Sequence, residues 1–172
     1  LEGAFITKAT AKLMRDFGSI KSPQNAFLLN MVLESLHVRM AQHVKNGQAV
    51  AEYLQAHPKV AWVRYSGLPG DEYYELAQKY LPNGGCGVVS FGVAGGRTGA
   101  ETFMKNLKLA KIATHVADAR TCVLHPANAT HRQMNDEELE AAGISPDLIR
   151  LSCGIEATED LIADIEQALA AV

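Results

Sequence analysis

One arginine, Arg150, stands inside the apolar run Leu148-Ile149-Arg150-Leu151, where a charge is out of place. A guanidinium taken out of water needs an anion, because an unpaired buried charge is costly. Its planar fork is best matched by a carboxylate, which it can grip with two parallel hydrogen bonds. Past the run come Gly154, then Glu156, then Thr158-Glu159-Asp160 and an amphipathic stretch with Leu161, Ile162, Ile165 and Leu169. Thr158 is placed to cap that helix, and Glu159 and Asp160 suit its positive end. None of the three acids is therefore obliged to pair with Arg150. Three partners stay open for it: a ligand's carboxylate, an internal ion pair, or water reached by snorkelling from an edge strand.

A second concentration of reactive types lies in Thr114-His115-Val116-Ala117-Asp118-Ala119-Arg120-Thr121-Cys122-Val123-Leu124-His125-Pro126, with His131 just beyond. Cys122, His125, His131 and Cys153 invite a zinc reading. Their spacing lacks the close ligand pairs of zinc sites, so no metal is expected there. His125, before a proline, reads as a structural residue that bonds loop backbone. His37 and His43 are six apart on a helix, not the i, i+4 of a metal pair. The glycines of Asn83-Gly84-Gly85-Cys86-Gly87 and Gly92-Val93-Ala94-Gly95-Gly96 match neither dinucleotide nor Walker spacing, and read as turns around one strand. No nucleophile elbow or Ser/His/Asp set is visible.

These residues need elements to position them. The segment Gly3 to Lys8 reads as an arm or strand, with a short helix around Ala11 to Phe17 punctuated by Gly18. Ser22-Pro23 is a strong helix start, a capping hydroxyl followed by proline at the first helical position. A long helix is expected from Pro23 to Gln55, with Gly47 able to loosen it and His57-Pro58 ending it. Unbroken, it would run about 50 Å, well beyond a domain with a radius of gyration near ~16 Å, so it must bend or overshoot. Its first half (Phe27, Leu28, Leu29, Met31, Val32, Leu33, Leu36) is apolar nearly all round, which predicts cover on more than one side.

Beyond it, strands and helices alternate. Strands are expected at 60–65, 87–93, 111–114, 121–124 and 148–153, with helices from Asp71 to Tyr80, Arg97 to Leu107, Asn135 to Ala142 and Glu159 to Ala170. The pattern predicts an α/β class, an α+β sandwich of about five short strands with helices over one face. Strand order is left open.

The bulk composition fits one globular domain with an extension: 172 residues, 48% hydrophobic, 20% charged and a net charge of −3. The acidic balance, without a basic stripe, argues against nucleic acid, and no apolar run approaches membrane-spanning length. Three sparse cysteines in apolar or glycine-rich segments suggest free thiols and a cytoplasmic protein. The chain opens Leu-Glu-Gly without methionine and is expected to be an excised piece of something longer.

In order along the chain, Gly3-Ala-Phe-Ile-Thr-Lys8, Leu13-Met-Arg-Asp-Phe-Gly18, Ser22-Pro-Gln-Asn-Ala-Phe-Leu-Leu29, Leu36-His-Val-Arg-Met40, His125-Pro-Ala127, Thr130-His131, Leu148-Ile-Arg-Leu-Ser152 and Gly154-Ile-Glu156 resemble the pyridoxal-phosphate (PLP) enzymes of cysteine and methionine metabolism. Within that family the O-acetylhomoserine sulfhydrylases look more similar than the cystathionine synthases and lyases or the methionine γ-lyases. The resemblance is to the C-terminal part of the fold-type I transferase fold. It implies an N-terminal arm at 1–21, a long inter-domain helix at 22–56, and a C-terminal small domain at 57–172 with a short, mostly antiparallel sheet.

The resemblance further implies that a larger N-terminal domain, absent here, is the partner that holds the cofactor. The family's Schiff-base lysine lies in a Ser-x-Thr-Lys motif; Thr7-Lys8 here follows Phe5-Ile6 and does not match it. No catalytic and no cofactor-binding residue is therefore expected in this chain, and alone it should be inactive. Substrate-binding residues are expected: Arg150 for the α-carboxylate of an amino acid, His115 where the family has serine or asparagine, and Thr130 near the entrance. The implied activity is γ-replacement, making homocysteine or methionine-type amino acids from O-acetylhomoserine and sulfide or a thiol. Other activities of the family, or a non-catalytic amino-acid-binding or oligomerisation module, are the alternatives. A homo-oligomer is expected from the apolar helix.

Overall fold

The computed structural model describes residues 3–172; the first two residues of the expected arm lie outside them. The chain divides into two compact units, Leu1–His37 and Val38–Val172.

In the first unit, 4–17 is helical: Gly3 to Lys8 forms no strand, and the helix expected around Ala11 to Phe17 begins earlier, at Ala4. Helix α1 (Ala4–Lys8) runs into a wider π-helical stretch (Ala9–Met14) and then α2 (Arg15–Phe17). Alanine, lysine, leucine and methionine outweigh the β-branched Ile6, Thr7 and Thr10 there. Gly18 ends the segment in the left-handed conformation, φ +64°, with its N–H on the Met14 carbonyl. Helix α3 (Pro23–Glu34) starts as expected, the Ser22 hydroxyl accepting from the Asn25 N–H at 3.2 Å. Its apolar side chains are exposed around the helix, Phe27 at 59% and Val32 at 51% among them.

The expected single helix is in fact two. At Ser35 the backbone leaves helical geometry (φ −100°, ψ 2°), and the Ser35 hydroxyl donates to the Val32 carbonyl. Serine bonding back to its own helix competes with the helical ladder. Helix α4 (Leu36–Ala56) then continues unbroken past Gly47 to its end before His57-Pro58. Gly47 does not loosen it. A β-carbon there would meet the Cys86 carbonyl and the Gly87 α-carbon at 3.0 Å, so glycine permits close approach of backbone.

The second unit carries one five-stranded sheet of β1 (Val60–Arg64), β2 (Val88–Val93), β3 (Lys111–Ile112), β4 (Cys122–Leu124) and β5 (Leu148–Ser152). Their order is β1-β2-β5-β4-β3, antiparallel throughout except the parallel pair β3–β4. Side chains alternate across a strand. One face of the sheet (Val89, Phe91, Val123, Ile149, Leu151) is fully buried. It packs with α6 (Gly96–Asn106) and α8 (Thr158–Ala170), through Ala100, Phe103, Leu161, Ile165 and Leu169. Phe91 and Phe103 meet edge to face at 5.6 Å. Val50, Ala51 and Leu54 of α4 complete this core. Two shorter helices fill the connections: α5 (Tyr74–Tyr80) and α7 (Asp136–Ala141). Helix α7 is capped by Asn135, and the cap is reciprocal, with the Glu138 carboxylate accepting from the Asn135 N–H.

Two carboxylates accept from backbone N–H groups without capping a helix. Asp71 starts no helix; it accepts from the N–H groups of Tyr65 and Tyr73, and α5 begins at Tyr74. Asp164, buried on α8, accepts from the N–H groups of Lys108 (2.8 Å), Leu109 (3.0 Å) and Ala110 (2.9 Å). It thereby holds the turn that leads into β3. Thr158 is the first residue of α8 and not its cap. Ala157 occupies the cap position, and the Thr158 hydroxyl donates to Asn46 Oδ1 at 2.7 Å.

Candidate functional site

Arg150 sits in the middle strand, opposite Ser90 of β2 and Leu124 of β4, on the face turned away from α6 and α8. The alternation that buries Ile149 and Leu151 in the core puts Arg150 on the other side. Its Nη2 donates to the Thr114 carbonyl at 2.8 Å. Its Nε is buried and has no hydrogen-bond partner among the described residues. Glu156 does not serve it: that carboxylate accepts from the Thr121 N–H (2.6 Å) and the Thr121 hydroxyl (2.9 Å). The internal ion pair is thus not realised among the described residues, nor is Arg150 on an edge strand.

The segment 113–120 arches beside the arginine. Thr114 braces it, His115 next to it is exposed, and the Ala117 N–H donates to Ser152 Oγ at 3.0 Å, two residues beyond Arg150. Ala117 is left-handed, φ +58°. Asp118 accepts from the Arg120 N–H (3.0 Å) and guanidinium (3.3 Å), and these bonds hold its carboxyl below the ordinary aspartate range. Burial pushes the Cys122 thiol up. Burial, then Glu156 and Cys86, raises the Cys153 thiol to about 12, so this thiol is inert near neutrality.

The candidate residues differ in what they bond. His115 adjoins the residue that braces Arg150. Thr130 is exposed and its hydroxyl is 2.9 Å from His131 Nδ1; no hydrogen bond joins it to Arg150 among the described residues. His125 is structural as expected, with Nε2 2.8 Å from the Pro146 carbonyl. Cys122, His125, His131 and Cys153 do not gather. The donors that do converge are His115, Asp118 and Cys122, a grouping that the spacing did not suggest.

Sequence reading also missed the support of the site. On α4, Asn46 is fully buried and donates to the carbonyls of Gly154 and Glu156, both at 2.9 Å. His43 Nδ1 lies 2.7 Å from the Cys153 carbonyl, and Gln42 donates to Asn46 Oδ1 at 3.1 Å. The chain leaving β5 is therefore gripped directly after Arg150. The signal was available: Gln42, His43 and Asn46 are polar residues at i, i+1 and i+4 on the helix that also buries Val50 and Leu54.

Residues 2–170 match the family model of Cys/Met metabolism PLP-dependent enzymes. The chain is 45% identical over 166 residues to the homocysteine synthase of Schizosaccharomyces pombe, covering 96% of this chain and 39% of that protein. It is 41% identical to O-acetyl-L-homoserine sulfhydrylase 1 of Thermus thermophilus, covering 98% of this chain and 40% of the relative. A crystal structure from Campylobacter jejuni, described as an O-acetylhomoserine (thiol)-lyase and carrying a pyridoxyl-lysine phosphate, superposes with a TM-score of 0.88 at 37% identity. That match covers 96% of this chain and 39% of that one. The chain thus spans about two fifths of the length of these relatives. With sequence and fold agreeing along nearly its whole length, this chain belongs to the PLP-dependent enzymes of cysteine and methionine metabolism.

Proposed function

We propose that this chain supplies the substrate-carboxylate end of a PLP-dependent sulfhydrylase that makes homocysteine or a related amino acid from O-acetylhomoserine and sulfide or a thiol. The observation that carries the reading is the state of Arg150. One guanidinium nitrogen is anchored on Thr114, and Nε is buried without a partner. A buried donor of this kind calls for an acceptor, and an α-carboxylate supplies two. Arg150 anchored in this way fixes the amino acid's Cα relative to whatever acts on it, a positioning contribution. His115 and Thr130 line the approach, His115 as a hydrogen-bond donor larger than the groups it replaces.

Bound PLP would supply an electron sink for loss of protons from the substrate carbons and departure of acetate from the γ carbon. This chain suits the substrate better than the cofactor. Arg150 offers one fork, enough for one oxyanion, and this reading gives it to the substrate carboxylate. The cofactor-holding groups and the proton-moving lysine are assigned to a further portion of the protein, and without it the chain is inactive. That portion, or a second copy, also covers the apolar surface of α3. The three free thiols accord with a reducing, cytoplasmic setting.

The test is Arg150→Ala and Arg150→Lys in the intact protein. Both should raise KM for the amino-acid substrate, with lysine a poor substitute because it lacks the fork. Cofactor absorbance should be retained. Loss of cofactor, or an unchanged KM, would overturn the assignment.

A further inference from the structure

We propose that His115, Asp118 and Cys122 form a binding site for a borderline-soft divalent cation, zinc above all, whose occupancy regulates the adjoining Arg150 site; the regulatory half rests on the reading of Arg150 given above. A ring nitrogen of His115, a carboxylate oxygen of Asp118 and the Cys122 sulfur all lie within 4.8 Å of one another. Around a tetrahedral zinc, bond lengths near 2.0–2.3 Å put such donors about 3.3–3.6 Å apart. The remaining closure falls on the side chains of His115 and Asp118, since the backbone between and after them is tied at Ala117 to Ser152 and at Ala119 to Ile155. Cys122 is fixed, buried on β4 between Lys111 and Ser152. His115 and Asp118 belong to the segment beside it, and His115 is open to solvent. The left-handed Ala117 lies between the two and turns the chain at that point.

The donor set selects the ion. One sulfur, one nitrogen and one oxygen suit zinc and its neighbours, not magnesium or calcium, which take oxygen. Three protein ligands leave a fourth position for water, the pattern of an open site and not of a structural one. On binding, Cys122 releases its proton to solvent, His115 coordinates through a neutral ring nitrogen, and the Asp118 carboxylate is taken from Arg120. Arg120 opposes the ion, and so does Arg150, whose charge reaches Cys122. The opposition is limited, because the new thiolate and Asp118 together balance the dication. Arg120 is also 69% exposed and its ion pair is of the weak surface kind, so it can swing into water.

The consequence for the neighbouring site follows from the chain. Thr114, whose carbonyl braces Arg150 at 2.8 Å, is bonded directly to His115. Drawing His115 toward Cys122 removes a donor from the carboxylate site and shifts that brace.

Calorimetric titration of the intact protein with zinc chloride, in a non-chelating buffer with a phosphine reductant, tests the site. Wild type should take up one more equivalent per chain than His115→Ala, an exposed change that spares the core. Losing this ligand should cost more than the ~10–100-fold that loss of an outer partner costs. Arg120→Ala, which frees Asp118, should tighten binding. With cobalt(II) as the probe, the thiolate-to-metal absorption should vanish in Cys122→Ser. Equal zinc uptake by wild type and His115→Ala, or cobalt absorption that survives Cys122→Ser, overturns the site. Zinc should also raise KM for the amino acid in wild type and not in His115→Ala. If zinc binds as described while Arg150→Ala leaves KM unchanged, the reading of Arg150 fails and the metal site stands.

Discussion

Asn46 and Gly154 are joined by a buried hydrogen bond, the Asn46 side-chain amide donating to the Gly154 carbonyl at 2.9 Å across 108 residues of sequence. The same amide reaches the Glu156 carbonyl, and its oxygen accepts from Thr158 and Gln42. One side chain thus ties α4 to the exit of the strand that carries Arg150. Every polar atom of this amide is used, which is the condition under which a buried polar network stabilises a fold.

Asn46→Ala should destabilise the protein by about 1–3 kcal/mol, since the buried Gly154 carbonyl loses its donor and the half-buried Glu156 carbonyl keeps only the longer bond from Gln42. Asn46→Asp should be worse still, because it sets a carboxylate oxygen against those carbonyls. Denaturant unfolding of the three proteins checks both the direction and the order.

Cys153 sets a pH dependence. Its thiol is raised to about 12 in the folded chain from an ordinary value near 9.0, chiefly by burial. Below pH 9 both states hold the proton and nothing is lost. Between about 9 and 12 the unfolded state releases it first, so stability falls as pH rises. The slope from this thiol is at most about 1.4 kcal/mol per pH unit. Burial likewise raises Tyr65 to about 12, which steepens the loss above pH 10. Cys153→Ala should flatten the stability profile between pH 9 and 12, measured as unfolding free energy against pH.

Ala117 is the one non-glycine residue with positive φ among those described. Holding alanine there costs about 1–2 kcal/mol, and glycine would return about 0.4–1 kcal/mol of that through the unfolded chain. Ala117→Gly should therefore stabilise by about 0.5–1 kcal/mol. A fall in melting temperature on that change would contradict the strain.

His43 makes a structural prediction. Its Nδ1 serves the Cys153 carbonyl, while Nε2 is buried without a protein partner among the described residues. The ring lines a cavity of about 30 Å³ shared with Ser152, Ala117 and Cys86. That space is large enough for one water. A high-resolution crystal structure should show an ordered water within hydrogen-bond distance of Nε2, and its loss in His43→Phe.

Much of the fold was legible where the signal is local. Ser22-Pro23, Asn135, Gly18 and His57-Pro58 mark helix ends through local rules, and the five strands follow from alternation and turns. Arg150 was legible as well, because a charge in an apolar strand is an anomaly at any register. What stayed hidden depends on partners distant in sequence. Thr158 satisfied every local rule for a cap, yet Asn46 takes its hydroxyl. The strand order places residues 148–152 between 88–93 and 122–124, which no neighbouring residue encodes. His115, Asp118 and Cys122 come together around Ala117, an alanine in a conformation that its type disfavours and that no local rule announces.

The central place of β5 has a consequence for how any anion is received at Arg150. Hydrogen-bonded to a strand on each side and held at its exit by α4, this backbone has little freedom left to lose. Capture of a ligand there costs little ordering entropy, and the guanidinium acts as a preset template. Accommodation of differently shaped ligands then falls to the 113–120 segment, which forms no helix or strand and is tied only at points, through Ala113 to Val123, Ala117 to Ser152 and Ala119 to Ile155. Changes that tune selectivity should accumulate in that segment, while changes in β5 should alter affinity for every ligand alike.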